Sequence, residues 1–405
     1  MHVNTRDEFE RLFAQGAKKV RGAEESLFDE LSGGRPLVLY GAGRIGRKTL
    51  AGLRSLGRDV LAFADSNPSV FGTELDGTPV LEPEKAARRF GKEACFVVTV
   101  WNPAAPHAFA EVSARLRALG CLRIAPFIPL FWKHAAMFLP HTRLDTPHRV
   151  FDNEAAVRAT FDLWLDEGSR REFVAQLRAL LSPDGFEGLP GGSPNPMYFE
   201  DAVCSPRDDE VFVDCGAYDG DTLRTFLSLR GNRFRRIVAY EADPANFARL
   251  STWAAGLLAK HRVRIVLRPL AVAARCTMVR FDASADDGAS IREDGDLLVE
   301  AVSLDEDLGG GPAPTFLKFD VEGAEPDAVQ GCQRILEESR PALAVSAYHL
   351  QDHLWRLPAL VDSLAPRYRF LLRRYSPGFV DLVCYAIPDE RLDSAFRGAC
   401  VRPGP

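Results

Sequence analysis

A chain of 405 residues is long enough for two or three domains, each with its own apolar core. Its 46% hydrophobic and 26% charged residues are ordinary for a globular protein, and a formal net charge of −6 predicts no nucleic-acid partner. No apolar run of about 18 residues marks a membrane span, the first residues lack the apolar core of an export signal, and the eight cysteines form no C-x-x-C pair. These features predict a cytoplasmic protein with reduced thiols.

The first 130 residues alternate predicted strands and helices after a leading helix at residues 3–30. An apolar strand, LVLY, runs into the pattern G-x-G-x-x-G formed by Gly41, Gly43 and Gly46, which is typical of a dinucleotide-binding turn. The next strand ends in Asp65, at a spacing suited to a ribose contact. This block is therefore interpreted as a Rossmann-like unit, with these three glycines and Asp65 as a candidate nucleotide site.

The composition and the predicted secondary structure of the chain change twice beyond residue 130. Residues 131–181 look mainly helical, and proline and glycine crowd between residues 183 and 196, a composition that marks a linker. A second series of strands and helices begins at Glu210. We therefore predict an N-terminal Rossmann-like domain at 1–130, a helical connector with linker at 131–200, a second α/β domain at 201–390 and a tail at 391–405.

Acidic residues follow two strands of the second series. VFVDCGAYDGDT places Asp214 at a strand end, directly before a glycine turn that contains Gly216 and Gly220. The next strand, RIVAYE, ends in Glu241, whose carboxylate can accept hydrogen bonds from both hydroxyls of a ribose. Ligands of open α/β sheets bind beyond the carboxyl ends of the strands, where these side chains are expected. The competing interpretation is that Asp214 and Glu241 only cap loops.

A third strand end carries the densest group of acids. FLKFDVEGAE places Asp320 and Glu322 at the end of a buried strand, where unpaired carboxylates are costly, and Gly323 then turns the chain into a helix. Glu325 fits a helix first-turn charge. The last two strands leave no room for a helix and are expected to pair antiparallel through residues 376–378. The predicted class is α/β with two Rossmann-like units, the second being mostly parallel with an antiparallel last strand.

The second unit resembles the FkbM-type S-adenosylmethionine-dependent methyltransferases, over roughly residues 195–387. The stretches that carry the resemblance are YF at 198–199, EVFVDCGAYDGDT, IVAYEADPANFARL, SLDEDL, LKFDVEGAE with Gly331, RPALAVSAYH, HLWRLPAL and YRFLLRRYS. One departure is Ala242, where such proteins commonly have proline after the ribose-binding acid. The resemblance implies a class I methyltransferase fold and methylation of a hydroxyl group on a sugar, glycan or polyketide-type natural product.

The resemblance also implies a set of site residues. The residues expected to bind S-adenosylmethionine are Asp214, Gly216, Ala217, Asp219, Gly220, Glu241 and Asp243. Adenine is placed between the strand end at Pro269–Leu270 and a loop at 283–290, with Asp286 or Asp287 near its amine. Because an alcohol is a poor nucleophile, a general base or a metal is expected, and the candidates are Asp320, Glu322 and His349. Asp320 with Glu322 could bind Mg²⁺, but two acids do not define a site, so a metal stays open.

The role of the N-terminal unit has three open alternatives. FADSNPSVFGTELDGTPVL resembles the Rossmann-like domains that precede sugar-modifying enzymes, in which the glycine turn can hold a sugar nucleotide. The unit could therefore recognise substrate or carrier, serve a structural or oligomerising role, or carry NAD-linked chemistry. For the whole chain the alternatives to an O-methyltransferase are a non-catalytic nucleotide-binding protein and an NAD-linked oxidoreductase. Neither the acceptor nor homo-oligomerisation is fixed by the sequence.

Overall fold

The structure is a computed structural model that describes residues 4–14, 16–101, 108–185, 189, 191–261, 264–282, 290–291 and 295–397. The chain forms two compact units. The first comprises Met1–Glu154, Phe173–Gly191 and Ser376–Val380, and the second Ala155–Glu172, Gly192–Tyr375 and Asp381–Pro405. The domain boundaries that the sequence suggests at residues 130, 200 and 390 stay predictions.

The first unit is built on a six-stranded sheet. Its strands are β1 (Leu37–Tyr40), β2 (Val60–Ala64), β3 (Glu74–Leu75), β4 (Thr78–Leu81), β5 (Cys95–Val98) and β6 (Arg123–Pro126). They lie in the order β3-β4-β2-β1-β5-β6, and all neighbours are parallel except β3 and β4. The central strands β1 and β5 are buried at every position, as expected of parallel strands covered on both faces.

Eight helices lie entirely within the described part of this unit. They are α1 (Thr5–Phe13), α2 (Ala17–Ser32), α3 (Arg44–Ser55), α4 (Pro83–Phe90), α5 (Ala108–Ala118), α6 (Ile128–Lys133), α7 (Ala135–Phe138) and α8 (His148–Asp152). The single leading helix expected at residues 3–30 is divided into α1 and α2. Gly16 has φ 75° and ψ 144°, a backbone conformation that no α-helix contains, so the chain turns there.

The second unit is built on a seven-stranded sheet and a smaller four-stranded one. The large sheet contains β7 (Val211–Cys215), β8 (Arg236–Tyr240), β9 (Ile265–Arg268), β14 (Phe316–Phe319), β15 (Ala342–Ser346), β16 (Tyr368–Arg374) and β17 (Leu382–Pro388). The small sheet contains β10 (Ala271–Val272), β11 (Thr277–Asp282), β12 (Ser290–Ile291) and β13 (Leu297–Val302). The expected antiparallel pairing of the last two strands is confirmed, because β17 runs antiparallel to β15 and to β16.

Nine helices accompany these sheets or connect the two units within the described residues. They are α9 (Glu154–Leu163), α10 (Glu167–Leu180), α11 (Asp221–Arg230), α12 (Pro244–His261), α13 (Leu304–Asp307), α14 (Glu325–Gln330), α15 (Gln333–Glu338), α16 (His353–Leu364) and α17 (Ser394–Arg397). Short 3-10 turns occur at Pro68–Val70 and Asp389–Arg391. Within the described residues, the helices are all too short or too polar to cross a membrane.

The order of the large sheet determines where a ligand can bind. The strands lie in the order β16-β17-β15-β14-β7-β8-β9, so the chain proceeds outward from β7 in one direction and from β14 in the other. A crevice opens at such a reversal, beyond the carboxyl ends of the two central strands. Beneath it the rings of Phe199, Phe212, Phe226 and Phe316 pack together, with centroids 4.8–5.8 Å apart for Phe212 and its three neighbours. This aromatic core fixes β7 and β14 side by side.

Candidate active site

A cavity of about 380 Å³ lies at the carboxyl ends of β7, β8 and β14 in the second unit. Its volume falls within the range of small-molecule sites. One wall is apolar, and its residues are Leu270, Ala271, Val272, Phe281 and Ile291. The polar residues of the cavity lining include the acids Asp221, Glu241, Asp320, Glu322 and Asp381, the lysine Lys318, and the tyrosines Tyr198, Tyr218, Tyr240 and Tyr348. The cavity therefore combines an apolar slot with a predominantly acidic face.

The glycine turn after β7 is required by close backbone packing. Gly216 has φ 86°, and a Cβ placed on it would lie 1.8 Å from the carbonyl oxygen of Asp320. Gly220 has φ 93°, and a Cβ there would lie 2.7 Å from the ring of Trp253. Both positions thus demand glycine for conformation and for space. The turn and the loop after β14 are consequently in backbone contact.

Asp214 and Lys318 form a fully buried ion pair between β7 and β14. The two residues lie opposite each other in the sheet, and Lys318 Nζ is 3.0 Å from Asp214 Oδ1. Burial raises the pKa of Asp214 to about 6, although the lysine charge acts to lower it. Burial alone would lower the pKa of Lys318, but the charges of Asp214 and Asp320 outweigh that effect and raise it. Lys318 is therefore a permanent cation at the base of the cavity.

Glu241 caps loops, which is one of the two interpretations left open by the sequence, and its role in binding a ribose stays a prediction. Its Oε2 accepts a hydrogen bond from the amide of Tyr218 and its Oε1 from that of Asp243, each at 2.8 Å, so it ties two loops together. It also lines the cavity. Each carboxylate oxygen has two lone pairs and can accept a second hydrogen bond. Burial raises the pKa of Glu241 to about 7, against the lowering effect of the two amide donors.

Asp320 is surrounded by hydrogen-bond donors. The Tyr198 hydroxyl donates to its Oδ2 at 2.9 Å, and the Tyr348 hydroxyl donates to its Oδ1 at 3.2 Å. Burial would raise its pKa, but the charges of Lys318 and His349 and the hydroxyl donors outweigh it and hold the pKa below the usual range. Asp320 is therefore an ionised carboxylate that accepts protons poorly.

Glu322 is the more accessible acid of this loop. It has φ 52°, a left-handed conformation that costs a non-glycine residue energy and often occurs at functional sites. The conformation is held by Glu325, whose carboxylate accepts hydrogen bonds from the amides of Val321 at 2.8 Å and Gly323 at 3.1 Å. The Glu322 side chain is 32% exposed. Burial raises its pKa, against the lowering effect of His349.

His349 connects the acids of the loop. Its Nδ1 lies 2.7 Å from Oε1 of the fully buried Glu325, and its Nε2 lies 3.3 Å from Oε1 of Glu322. Burial would lower the pKa of His349, but Glu325 and Glu322 together raise it well above the ordinary value. The imidazolium is consequently the expected form at neutral pH. In that form His349 has no lone pair with which to act as a base.

The structure assembles part of the predicted site around the cavity. Gly216, Glu241, Asp320 and Glu322 line it. The other described residues of the predicted set support the lining from behind or stand beside it: Asp214, Ala217, Asp219, Gly220, Asp243 and His349. Asp286 and Asp287, proposed near adenine, lie outside the described residues, whereas Leu270 lines the cavity and its expected contact with adenine stays a prediction.

Hydrogen bonds and an ion pair with residues nearby in the chain explain the positions of two of these acids, Asp243 and Asp219. Asp243 is the N-terminal cap of α12, because its Oδ1 accepts from the amides of Ala245 and Asn246 at 2.8 Å each. Asp219 forms an ion pair with Arg224 at 2.5 Å. The expected donor-binding roles of both residues stay predictions.

Three of the residues missed by the sequence reasoning contact the predicted acids directly. They are Lys318, Tyr198 and Tyr348, which contact Asp214, Asp320 or both. A lysine within the apolar strand FLKF was a usable signal, because a buried ammonium needs a carboxylate partner. The sequence did not reveal that partner. Asp214 lies opposite Lys318 only because of the register between β7 and β14, and residues close together along the chain do not specify that register.

One group of side chains has the spacing of metal ligands. Ligand atoms of Asp320, Glu325 and His349 lie within 4.8 Å of one another. The negative charges of these acids are already offset by Lys318 and His349, and Asp320 also accepts hydrogen bonds from two tyrosine hydroxyls. The arrangement is therefore explained by its own ion pairs, and a metal stays open.

The glycine turn of the first unit has the geometry of its motif. Gly41 has φ 110°, and a Cβ on Gly46 would lie 1.9 Å from the Gly41 carbonyl oxygen. Space around the Cβ position of Gly43 is open, so packing does not demand glycine there. Asp65 Oδ2 accepts from the amide of Ala42 at 2.7 Å, and its Oδ1 from that of Asn67 at 2.8 Å. The turn is thus bound to the end of β2 by Asp65.

The sheet order with its antiparallel β17 and the crevice beyond β7 defines the class I methyltransferase fold. Residues 214–375 match the family model of the methyltransferase FkbM domain, so this part of the chain is an FkbM-type methyltransferase domain, and the resemblance seen in the sequence is confirmed. The family implies S-adenosylmethionine as methyl donor. A comparison with curated proteins finds no match.

One solved structure agrees with this assignment at the level of the fold. The methyltransferase FkbM from Methylobacillus flagellatus KT is 21% identical, aligns over 94% of this chain and 99% of its own, and gives a TM-score of 0.73. Both units of the chain therefore share their fold with that protein. Fibrillarin from Aeropyrum pernix, solved with natively bound S-adenosyl-L-methionine, is 13% identical over 45% of this chain and 69% of its own, with a TM-score of 0.30.

Proposed function

We propose that the protein is an S-adenosylmethionine-dependent O-methyltransferase that acts on a hydroxyl group of a sugar, glycan or natural product. The observation that carries the proposal is Glu322, an accessible acid of raised pKa that faces the cavity beside Asp320. A hydroxyl group needs such an acceptor for its proton when it attacks a methyl group. The acidic lining also suits a donor that bears positive charge.

The residues of the cavity are chemically suited to the donor. The apolar wall around Leu270 and Phe281 offers a surface for adenine, and Glu241 offers carboxylate oxygens for the ribose hydroxyls. The Gly216 turn leaves room for the amino-acid end. The bound donor supplies an electrophilic methyl group on a sulfonium. The chain's contribution is to hold the acceptor hydroxyl in line with that group, which supplies much of the rate.

Glu322 is assigned as the general base, with Asp320 and His349 in supporting roles. Asp320 already accepts two tyrosine hydroxyl hydrogen bonds and has a lowered pKa. His349 is held as a cation by Glu325. Glu322 can take the proton from the acceptor, while the neighbouring imidazolium orients its carboxylate. Asp320 keeps its negative charge at the end of β14, where it balances the positive charge of the donor.

A ligand panel tests the proposal. Thermal unfolding is measured with S-adenosylmethionine, S-adenosylhomocysteine, NAD, NADP and UDP-sugars, followed by methylation assays on hydroxylated sugars and glycans. A ligand at about a hundred times its Kd stabilises the folded chain by about 2.7 kcal/mol, which raises the melting temperature measurably. We expect stabilisation by both S-adenosyl compounds. Stabilisation by NAD alone would instead favour the oxidoreductase alternative.

The same panel tests the second candidate function, nucleotide binding by the first unit. The specific observation is Gly43, where open space rather than packing surrounds the Cβ position within a G-x-G-x-x-G turn. In dinucleotide-binding turns the second glycine allows the pyrophosphate to approach the backbone. A UDP-sugar or NAD that stabilises the natural protein and the Glu241→Gln variant equally would indicate binding outside the methyltransferase cavity.

The affinity for the donor is expected to depend on pH through Glu241. Its pKa is about 7, so the carboxylate that accepts the ribose hydroxyls becomes protonated as the pH falls below that value. Calorimetric affinity for S-adenosylhomocysteine should be constant near pH 8 and decline towards about tenfold per pH unit well below pH 7. Above about pH 6.5, Asp214 contributes little to this decline, because its own pKa is about 6.

Glu241→Gln is the matched control for this pH dependence. The variant keeps the shape of the side chain but cannot ionise, so we expect weaker binding that no longer changes between pH 6.5 and 8. An equal pH slope in the variant and in the natural protein would assign the titration to another group.

A further inference from the structure

Lys318 is a buried cation whose hydrogen-bonding capacity is not fully used by the protein. It is 1% exposed and stands on β14, the central strand beside β7. An ammonium group has three donors. One reaches the Gly216 carbonyl oxygen at 2.6 Å, and a second faces Asp214 Oδ1 at 3.0 Å. Asp320 Oδ2 lies 3.8 Å away, which is too long for a hydrogen bond.

The remaining donor of Lys318 is available to the cavity. Lys318 and Gly216 both line it, and Lys318 is the only basic residue among the described lining residues. Asp320, an acceptor close to Lys318, is engaged by the hydroxyls of Tyr198 and Tyr348. Lys318 donates a hydrogen bond to the Gly216 carbonyl oxygen, so that oxygen is already engaged. Beside this turn the base of the cavity therefore presents an ammonium group, which attracts an anionic ligand group and repels a cationic one.

The amino-acid end of the methyl donor is a zwitterion, and its two charges match this part of the cavity. Its carboxylate complements Lys318, and its ammonium group complements Asp320, whose pKa is lowered so that it stays ionised. Buried lysines that serve only as counterions do not require an opening towards a ligand. Lys318 differs because it pairs with Asp214 and still lines the cavity.

We propose that Lys318 binds the α-carboxylate of the methyl donor and thereby selects a complete amino-acid end. The inference rests on the proposed use of S-adenosylmethionine. It assigns to Lys318 a specificity role in donor binding, in addition to its ion pair with Asp214. A donor without the carboxylate leaves the third ammonium donor without an acceptor in a buried site, which costs affinity.

The test compares S-adenosylmethionine with decarboxylated S-adenosylmethionine, which lacks only the carboxylate, by calorimetry on the full chain. We expect the natural protein to bind the complete donor at least about tenfold more tightly, the effect of one charged hydrogen bond. Equal affinities would overturn the proposal for Lys318 but leave the methyltransferase assignment intact. Binding of neither compound would contradict the proposed function itself.

Substitution then assigns the preference to Lys318. Lys318→Met leaves the buried carboxylate of Asp214 without its counterion and is expected to destabilise the fold. The double variant Asp214→Asn, Lys318→Met removes a charge of each sign and is compared with Asp214→Asn alone. We expect the single variant to keep the preference for the complete donor and the double variant to lose it. A preference retained in the double variant would overturn the proposal, and so would its loss in Asp214→Asn alone.

Discussion

Replacement of Glu322 by glutamine is expected to reduce the turnover number for methyl transfer about a hundredfold to ten-thousandfold. The amide keeps the shape of the side chain but cannot accept the proton of the acceptor hydroxyl. Glu322 lies on the cavity wall with a raised pKa, whereas Asp320 and His349 are held in their charged forms. Steady-state methylation of the acceptor identified in the glycan screen measures the effect at saturating donor.

Donor affinity separates this role from a general disturbance of the site. Glu322→Gln should bind S-adenosylhomocysteine within about threefold of the natural protein, since its carboxylate is assigned to the acceptor. Glu338→Gln makes the same change on the exposed surface of α15 and should alter neither the turnover number nor the affinity for S-adenosylhomocysteine. A Glu322→Gln variant that retains most of its turnover would exclude Glu322 as the base. A parallel loss of turnover and donor affinity would assign Glu322 to donor binding.

Replacement of Gly216 by alanine is expected to destabilise the second unit by about 3 kcal/mol or more. The new Cβ would need a left-handed backbone at φ 86° and would lie 1.8 Å from the Asp320 carbonyl oxygen. Relief of that overlap requires β7 and β14 to separate, which also breaks the hydrogen bond from Lys318 to Gly216. Urea unfolding followed by circular dichroism measures the loss.

Gly310→Ala is the matched control, because Gly310 has φ 96° but open space around its Cβ position. It retains the conformational cost of about 1–2 kcal/mol without the overlap. The difference between the two variants therefore isolates the steric contribution. Equal destabilisation of the two variants would show that the backbone around Gly216 and Asp320 moves apart without a measurable cost.

The sequence revealed the strand ends because each combines an apolar run with acids and glycine. Asp214, Glu241 and Asp320 could be placed at one edge of a sheet on that basis alone, since the carboxyl ends of parallel strands meet there. The antiparallel β17 was also predictable, because too few residues separate it from β16 for a helix. These inferences depend only on neighbours along the chain and on general properties of α/β sheets.

The contacts that determine the chemistry were less accessible to sequence reasoning. Lys318 depends on its register with Asp214, which lies more than a hundred residues earlier in the chain. Glu325 was interpreted as a first-turn helix charge; it does open α14, but it also binds His349 and two loop amides. Glycine at position 216 was expected to admit a ligand, whereas its nearest constraint is the Asp320 backbone. Each of these contacts joins segments whose proximity only the folded chain establishes.

The contact between Gly216 and Asp320 also bears on how the protein can change during evolution. With no side chain between them, the turn at Gly216 and the loop that carries Asp320 and Glu322 pack backbone against backbone, which leaves little room for either to shift alone. New acceptors are therefore most easily accommodated by substitutions elsewhere on the cavity wall. The transfer chemistry can be inherited unchanged while the choice of acceptor diversifies around it.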